Sequence, residues 1–249
     1  MNKSLLNTGF TLVEVLVAMV VSLIIMGGAY SIFNSQQRQT VIQTNISDAQ
    51  QALRAAMDFM SRDIRMAGYN PTEGKTKFGI TSISDTNGMG SITFTWDDPS
   101  GTISHRYFLS TLNGSSVAPN SRALIFNGNP LAGFIVAIGF AYAYDIDNDG
   151  RLERNSAGNV IWAIDADNDN DWDALNTTTG TTSETGTKVH LDDIRAVRIW
   201  ILSQAQAPDP HFTDNKTYIV GANAVTPNNH FRHRIMERVV RCRNLGIGL

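Results

Sequence analysis

From Phe10 to Phe33 the chain runs for 24 residues with a single charge, Glu14, and with only Thr11, Ser22, Tyr30 and Ser31 as further polar groups. About 20 apolar residues in a helix cross the hydrocarbon core of a bilayer, so this stretch is long enough to span a membrane. A cleavable secretory signal has a shorter apolar core, roughly 7–15 residues, followed by small residues. Gly27, Gly28 and Ala29 imitate that ending, but the run is too long and it holds a carboxylate. A helix buried in a soluble core is the other reading, and it leaves the short polar leader, residues 1–9, without a role. Glu14 is the anomaly. An ionised carboxylate inside a bilayer costs roughly 2.5–3.5 kcal/mol on insertion scales, so it either snorkels to the interface or finds a partner. The leader offers the amino terminus and Lys3, whereas the first charge beyond the span is Arg38. That bias predicts a cytoplasmic leader and an exported remainder.

The leader ends in Gly9, and Phe10, Thr11, Leu12, Val13 and Glu14 follow before the apolar helix. This order resembles the type III signal of type IV prepilins and type II secretion pseudopilins. The resemblance implies cleavage between Gly9 and Phe10 by a prepilin peptidase and N-methylation of the new terminus at Phe10. It also implies that Glu14 meets the N-terminal amine of a neighbouring subunit during assembly. The physics agrees: a buried carboxylate that finds its counter-charge only when another subunit docks can set axial register.

Helical patterning continues past Phe33. Ile42, Ile46, Ala49, Leu53, Met57, Met60, Ile64 and Ala67 recur at three- and four-residue spacing, one apolar stripe opposite a polar face. Gly68 is a natural cap and Pro71 forbids continuation. A helix over 10–67 is about 87 Å long at 1.5 Å per residue. Its first half (10–33) is apolar all round and its second half (34–69) on one face, which predicts a membrane half followed by a half packed on a sheet. Gly27 and Gly28 lie where a bend is cheap.

After Pro71 the chain reads as strands between turn-rich loops, a β-rich head over 70–249. Ser91–Trp96, Ser104–Leu109, Ala123–Phe126, Gly133–Tyr144, Val160–Ile164, Ile194–Leu202, Thr217–Val220 and Phe231–Val240 stand out by β-branched and aromatic content. Val197, Ile199 and Ile201 face one way and Arg198 and Trp200 the other. The stretch Asn176–Thr187 reads as a loop. An antiparallel sheet laid over the amphipathic half-helix buries both apolar faces, giving an α+β fold. The pilin fold has the same arrangement.

Two strings narrow the resemblance. Arg62-Asp63-Ile64-Arg65-Met66-Ala67-Gly68-Tyr69 is similar to the end of the long helix in PilW-type minor pilins of the type IV pilus. The closing HFRHRIMERVVRCRNL, His230–Leu245, is similar to the last strand of that group. The resemblance implies a minor pilin that takes part in type IV pilus assembly, primes polymerisation and sits in the tip complex, supporting twitching motility and adhesion. Its implied partners are other minor pilins, the major pilin, the prepilin peptidase, the inner-membrane assembly platform and membrane lipid. Its implied location is the inner membrane with a periplasmic head, then the surface pilus. Two alternatives stay open: a J-type pseudopilin of type II secretion, and a pilus-borne calcium-dependent adhesin.

The 23 acids and 20 bases leave a net charge of −3, but residues 145–173 hold nine acids against two arginines. Asp145-Ile146-Asp147-Asn148-Asp149-Gly150-Arg151-Leu152-Glu153 has the order of an EF-hand-type Ca²⁺ loop. Carboxylates stand at positions 1, 3, 5 and 9, glycine at 6, and Arg151 offers its carbonyl at 7. Ser156 stands where a bidentate Glu is expected, so a distant carboxylate has to close the site. The second run, Asp165, Asp167, Asp169, Asp171 and Asp173, repeats the alternation with Asn170 in the glycine position, which also tolerates a positive φ. The competing reading of both is a solvated acidic loop.

Arg232, Arg234, Arg238, Arg241 and Arg243 alternate with apolar residues, as on a solvated strand face. Five arginines on a chain of net negative charge make no case for nucleic acid. Cys242, the only cysteine, excludes an intramolecular disulfide and any multi-cysteine zinc site. It is either buried and free or paired with another chain. None of the common catalytic motifs occurs, and His105, His190, His211, His230 and His233 are scattered, so no enzyme is expected.

Overall fold

Apolar residues at helical spacing, with no proline among them, give one helix, α1, over Leu12–Met66. The computed structural model describes residues 10–71, 78–85, 88–111 and 122–245. The chain divides into two units, Met1–Thr44 and Asn45–Leu249. In the first, α1 is hydrogen-bonded without a break through Gly27 and Gly28, and every described side chain up to Val41 is exposed. The glycines cost propensity but do not interrupt the ladder.

In the second unit the stripe is buried as its spacing predicts: Leu53, Ala56, Met57, Met60 and Ile64 are each at most 2% exposed. Each large member contributes about 1.5–3 kcal/mol by leaving water. The helix ends at Met66 and the chain turns at Gly68, whose N–H donates to the Thr95 carbonyl at 3.0 Å. Asn244, from the far end of the chain, donates its side-chain amide to the Arg65 carbonyl at 3.0 Å. One of the carbonyls left unpaired at the helix end is thereby satisfied.

Among the described residues twelve strands follow: β1 (Ile80–Ser84), β2 (Ser91–Asp98), β3 (Gly101–Thr111), β4 (Arg122–Phe126), β5 (Asn129–Tyr144), β6 (Ala163–Ile164), β7 (Asp171–Leu175), β8 (Thr182–Lys188), β9 (Ile194–Gln204), β10 (Tyr218–Val220), β11 (Asn223–Val225) and β12 (His233–Arg241). Ten form one antiparallel sheet in the order β1 to β8, with β9 beside β5 and β12 beside β9. The two remaining strands, β10 and β11, pair as a hairpin. The fold is α+β, a long helix on a large antiparallel sheet.

Val197, Ile199 and Ile201 share a core with the buried face of α1, whereas Trp200 and Leu202 share a second one with Tyr218 and Val220 of the hairpin. The sheet therefore buries both faces. Polar ties fix the helix to it. His105 Nδ1–H and the Tyr107 hydroxyl both donate to Asp63 Oδ2, at 2.7 and 2.6 Å, and Arg238 pairs with Asp58.

Three expectations are corrected. The stretch Asn176–Thr187 is not only a loop, because β8 begins at Thr182. It lies at the edge of the sheet with a largely exposed surface, so it needs no apolar alternation to form. Val160–Ile164 shortens to Ala163–Ile164, with Val160 making only an isolated bridge to Arg154. The arginines of the last strand do not share one solvated face. Arg238 turns toward α1, Arg232 pairs with Asp209 at 2.8 Å, and Arg241 and Arg243 line a cavity of about 570 Å³ with Arg65 and Arg195. Cys242 is buried and free, and burial pushes its thiol up to about 12.

Where the hairpin meets the sheet, Asp85 has one oxygen without a hydrogen-bond partner among the described residues. Burial pushes its carboxyl up to about 7, against the pull of the Phe140 and Ala222 backbone. Because this value lies above that of the unfolded chain, the protonated form is favoured in the fold. The stability it gives is complete below about pH 4 and is lost as pH rises through about 7, by up to roughly 4 kcal/mol. Thermal melts of Asp85→Asn should therefore match wild type near pH 4 and exceed it at pH 8. Parallel curves across that range would refute the buried acid.

Candidate functional site

Two regions hold the residues singled out by sequence. The first is the start of α1. Gly9 and the rest of the leader lie outside the described residues, and Phe10 is 86% exposed. Glu14 sits in the first turn and closes a reciprocal cap. Its Oε2 accepts from the Thr11 N–H at 3.2 Å, and its own N–H donates to Thr11 Oγ1 at 3.3 Å. The Thr-x-x-Glu spacing of a capping box is legible in the sequence, and sequence reasoning missed it beside the charge. Glu14 thus has a local role in starting the helix, and its carboxylate remains exposed. The helix is long and apolar enough to cross a membrane, and none of that apolar window is buried within the chain.

The second region is acidic. The first loop leaves the end of β5. One carboxylate oxygen from each of Asp145, Asp147 and Asp149 lies within 4.8 Å of the others. Glu153 is not in that group, and the Arg151 N–H donates to Asp149 Oδ1 at 2.7 Å. Asp145 Oδ2 accepts from the Gly150 N–H at 3.2 Å, the sharp turn being made possible by the positive φ of Gly150, 82°. Sequence reasoning missed Arg195. Its Nε lies 3.5 Å from Asp145 Oδ2 and its Nη2 donates to Asn148 Oδ1 at 2.7 Å. An arginine 50 residues away carries no local signal of this contact.

The second loop repeats the path. Asn148 and Asn168 both have positive φ, and Asn170, in the glycine position, has φ 71°, a conformation that asparagine tolerates. Asp165, Asp167 and Asp169 converge as the first three do, and a further group joins Asp167, Asp173 and Glu184. Asp171 stands outside both and pairs with Lys188 Nζ at 2.5 Å. Asp173 is buried and accepts the Ala166 N–H at 2.9 Å. Glu184 enters because β7 and β8 pair with Asp173 opposite Glu184. Like charges opposed across a strand pair are unfavourable, and the Asp173 charge raises the Glu184 carboxyl above its ordinary range. Burial, then the charges of Asp169 and Asp167, do the same to Asp165. Glu184 was missed because it lies in the stretch read as a loop.

A family model described as Type IV Pilus-assembly protein W matches residues 107–244, more than half of the chain. A model of the prokaryotic N-terminal methylation motif matches residues 6–30, across the leader junction and Glu14. A type IV-like pilin from Thermus thermophilus is 14% identical over 79% of this chain and 97% of its own, with a TM-score of 0.46. A search of curated proteins finds no match. Domains of this family are structural, and they work in pilus assembly. With the assembly-protein model over the sheet and the methylation motif over the apolar helix, the chain belongs to the PilW family of type IV minor pilins.

Proposed function

We propose that this minor pilin primes polymerisation of the type IV pilus and stays in the tip complex, supporting twitching motility and adhesion. The observation that carries the reading is the surface of α1 from Phe10 to Phe33, apolar all round, exposed, and charged only at Glu14. An apolar surface of this extent needs lipid or other helices around it. Before assembly, lipid covers it in the inner membrane, with the head in the periplasm. During assembly, the helices of other minor pilins and of the major pilin replace lipid, and the prepilin peptidase and the inner-membrane assembly platform act on the protein in turn. Glu14 then meets the N-terminal amine of a neighbour.

A clean deletion, scored in parallel for sheared surface pili and for exported proteins, tests this. Lost pili with intact secretion is the expected result. Intact pili with lost secretion would move the protein to type II secretion as a J-type pseudopilin. If both are normal, priming is not its indispensable role.

A further inference from the structure

Asp145 is a buried acidic residue at the head of the first acidic loop. It is 1% exposed, and its backbone N–H donates to the Asp193 carbonyl at 2.9 Å, which fixes the loop against the start of β9. Its Oδ2 is accounted for by Gly150 and Arg195. Its Oδ1 is buried with no hydrogen-bond partner among the described residues. A carboxylate oxygen left in that state loses its hydration without replacement, a cost that native proteins relieve with a donor, a water or an ion. Arg195 meets Asp145 only at Oδ2, through an Nε that stands 3.5 Å away and makes no hydrogen bond among the described residues. Its Nη1 is committed to the Asp192 carbonyl at 2.6 Å and its Nη2 to Asn148 at 2.7 Å.

The surroundings specify the class of ligand. Asp147 and Asp149 bring one carboxylate oxygen each within 4.8 Å of Asp145's, and among the described residues no histidine or cysteine joins the group. An all-oxygen set selects a hard cation over zinc or copper. Three carboxylates converging on one point favour a divalent over a monovalent ion. Mg²⁺ demands near-ideal octahedral geometry and gives up its waters reluctantly, whereas Ca²⁺ accepts irregular oxygen sets at 2.3–2.6 Å.

We infer that Asp145, Asp147 and Asp149 bind Ca²⁺, with the buried Oδ1 of Asp145 as the anchoring ligand. The ion ties the connection after β5 to the start of β9, because Asp145 touches Asp193 and Arg195 there. Asp147 and Asp149 close it from the exposed side, so the ion enters from solvent.

The test uses the full-length protein in detergent micelles, stripped with a chelator and titrated with CaCl₂ by calorimetry and thermal melting, with MgCl₂ in parallel. At about 1 mM calcium and a dissociation constant of about 10⁻⁴ M, linkage predicts a rise in melting temperature of about 4 °C. The double variant Asp147→Ala/Asp149→Ala alters only exposed side chains. Each also accepts a backbone N–H within the loop, so the readout is the difference between calcium and chelator: the variant should bind one fewer equivalent of calcium and lose its share of the rise. Asp145→Asn should lose the same equivalent. Absence of calcium binding by wild type at 10 mM would overturn the inference. So would wild-type stoichiometry in the double variant, and a response abolished only by Asp167→Ala/Asp169→Ala would place the ion in the second loop instead.

Discussion

Glu14→Gln is expected to insert in the membrane as wild type does and to enter sheared pili at about one-hundredth of the wild-type level. A carboxylate in the apolar phase costs about 3 kcal/mol, and in the assembly proposed above a neighbour's amine relieves that cost only when the subunits dock. The neutral amide forfeits that relief, and about 1.4 kcal/mol is a factor of ten in an equilibrium. Glutamine separates this role from the helix cap, since its amide oxygen still accepts from the Thr11 N–H where Glu14 does now. Glu14→Ala loses both the charge and the cap. Membrane and sheared-pilus fractions, compared by immunoblot for the two variants, decide between the roles. If glutamine assembles normally and alanine does not, Glu14 acts by capping α1, and the counter-charge account is wrong.

The largest expected effect in the head comes from adding one methyl group. Gly139 lies in the middle of β5 opposite Trp200, under the turn between β10 and β11. A Cβ there would stand 2.7 Å from the Gly221 nitrogen and 2.8 Å from the Val220 carbonyl carbon, both backbone atoms that cannot rotate away. Gly139→Ala must therefore lift the hairpin off the sheet and loosen Tyr218 and Val220 in the second core. Overpacking of this kind costs about 3 kcal/mol, so the melting temperature should fall by about 9 °C in a head of this size. Gly133→Ala on the same strand is the control, because its Cβ would meet nothing within 4 Å. Equal melting temperatures for the two variants would mean that the hairpin is not seated where Gly139 requires it.

The long elements were legible wherever a period was strong. The stripe from Leu53 to Ile64 and the alternation Val197, Ile199, Ile201 against Trp200 both face where their spacing places them. Such elements bury one face, and burial imposes the pattern. β8 had no pattern to read, because the Thr-Ser-Glu-Thr-Gly-Thr-Lys segment sits at an exposed edge and is held by its ladder to β7. Glu184 was lost with it. The acidic loops were legible as loops, down to the positive φ of Asn170, since their spacing is local. Arg195 beside Asp145, Gly139 beneath Gly221 and Asn244 on the Arg65 carbonyl were not. Each joins segments dozens of residues apart, and sequence distance erases that kind of signal.

The chain's closing segment reaches back to its first head element. β12 pairs with β9, Arg238 reaches Asp58 across 180 positions, Val240 and Cys242 enter the same core as Met57 and Met60, and Asn244 covers the end of α1. Loop closure over such a span comes late, since its entropy cost must be met before any of these contacts forms. The residues that complete the helix–sheet interface therefore join after the elements they cover. Until they arrive, the polar end of α1 lacks its Asn244 cap and β9 presents an open edge. The head therefore gains or loses its helix–sheet interface as one cooperative unit, because a strand far along the chain has to be in place before α1 is sealed.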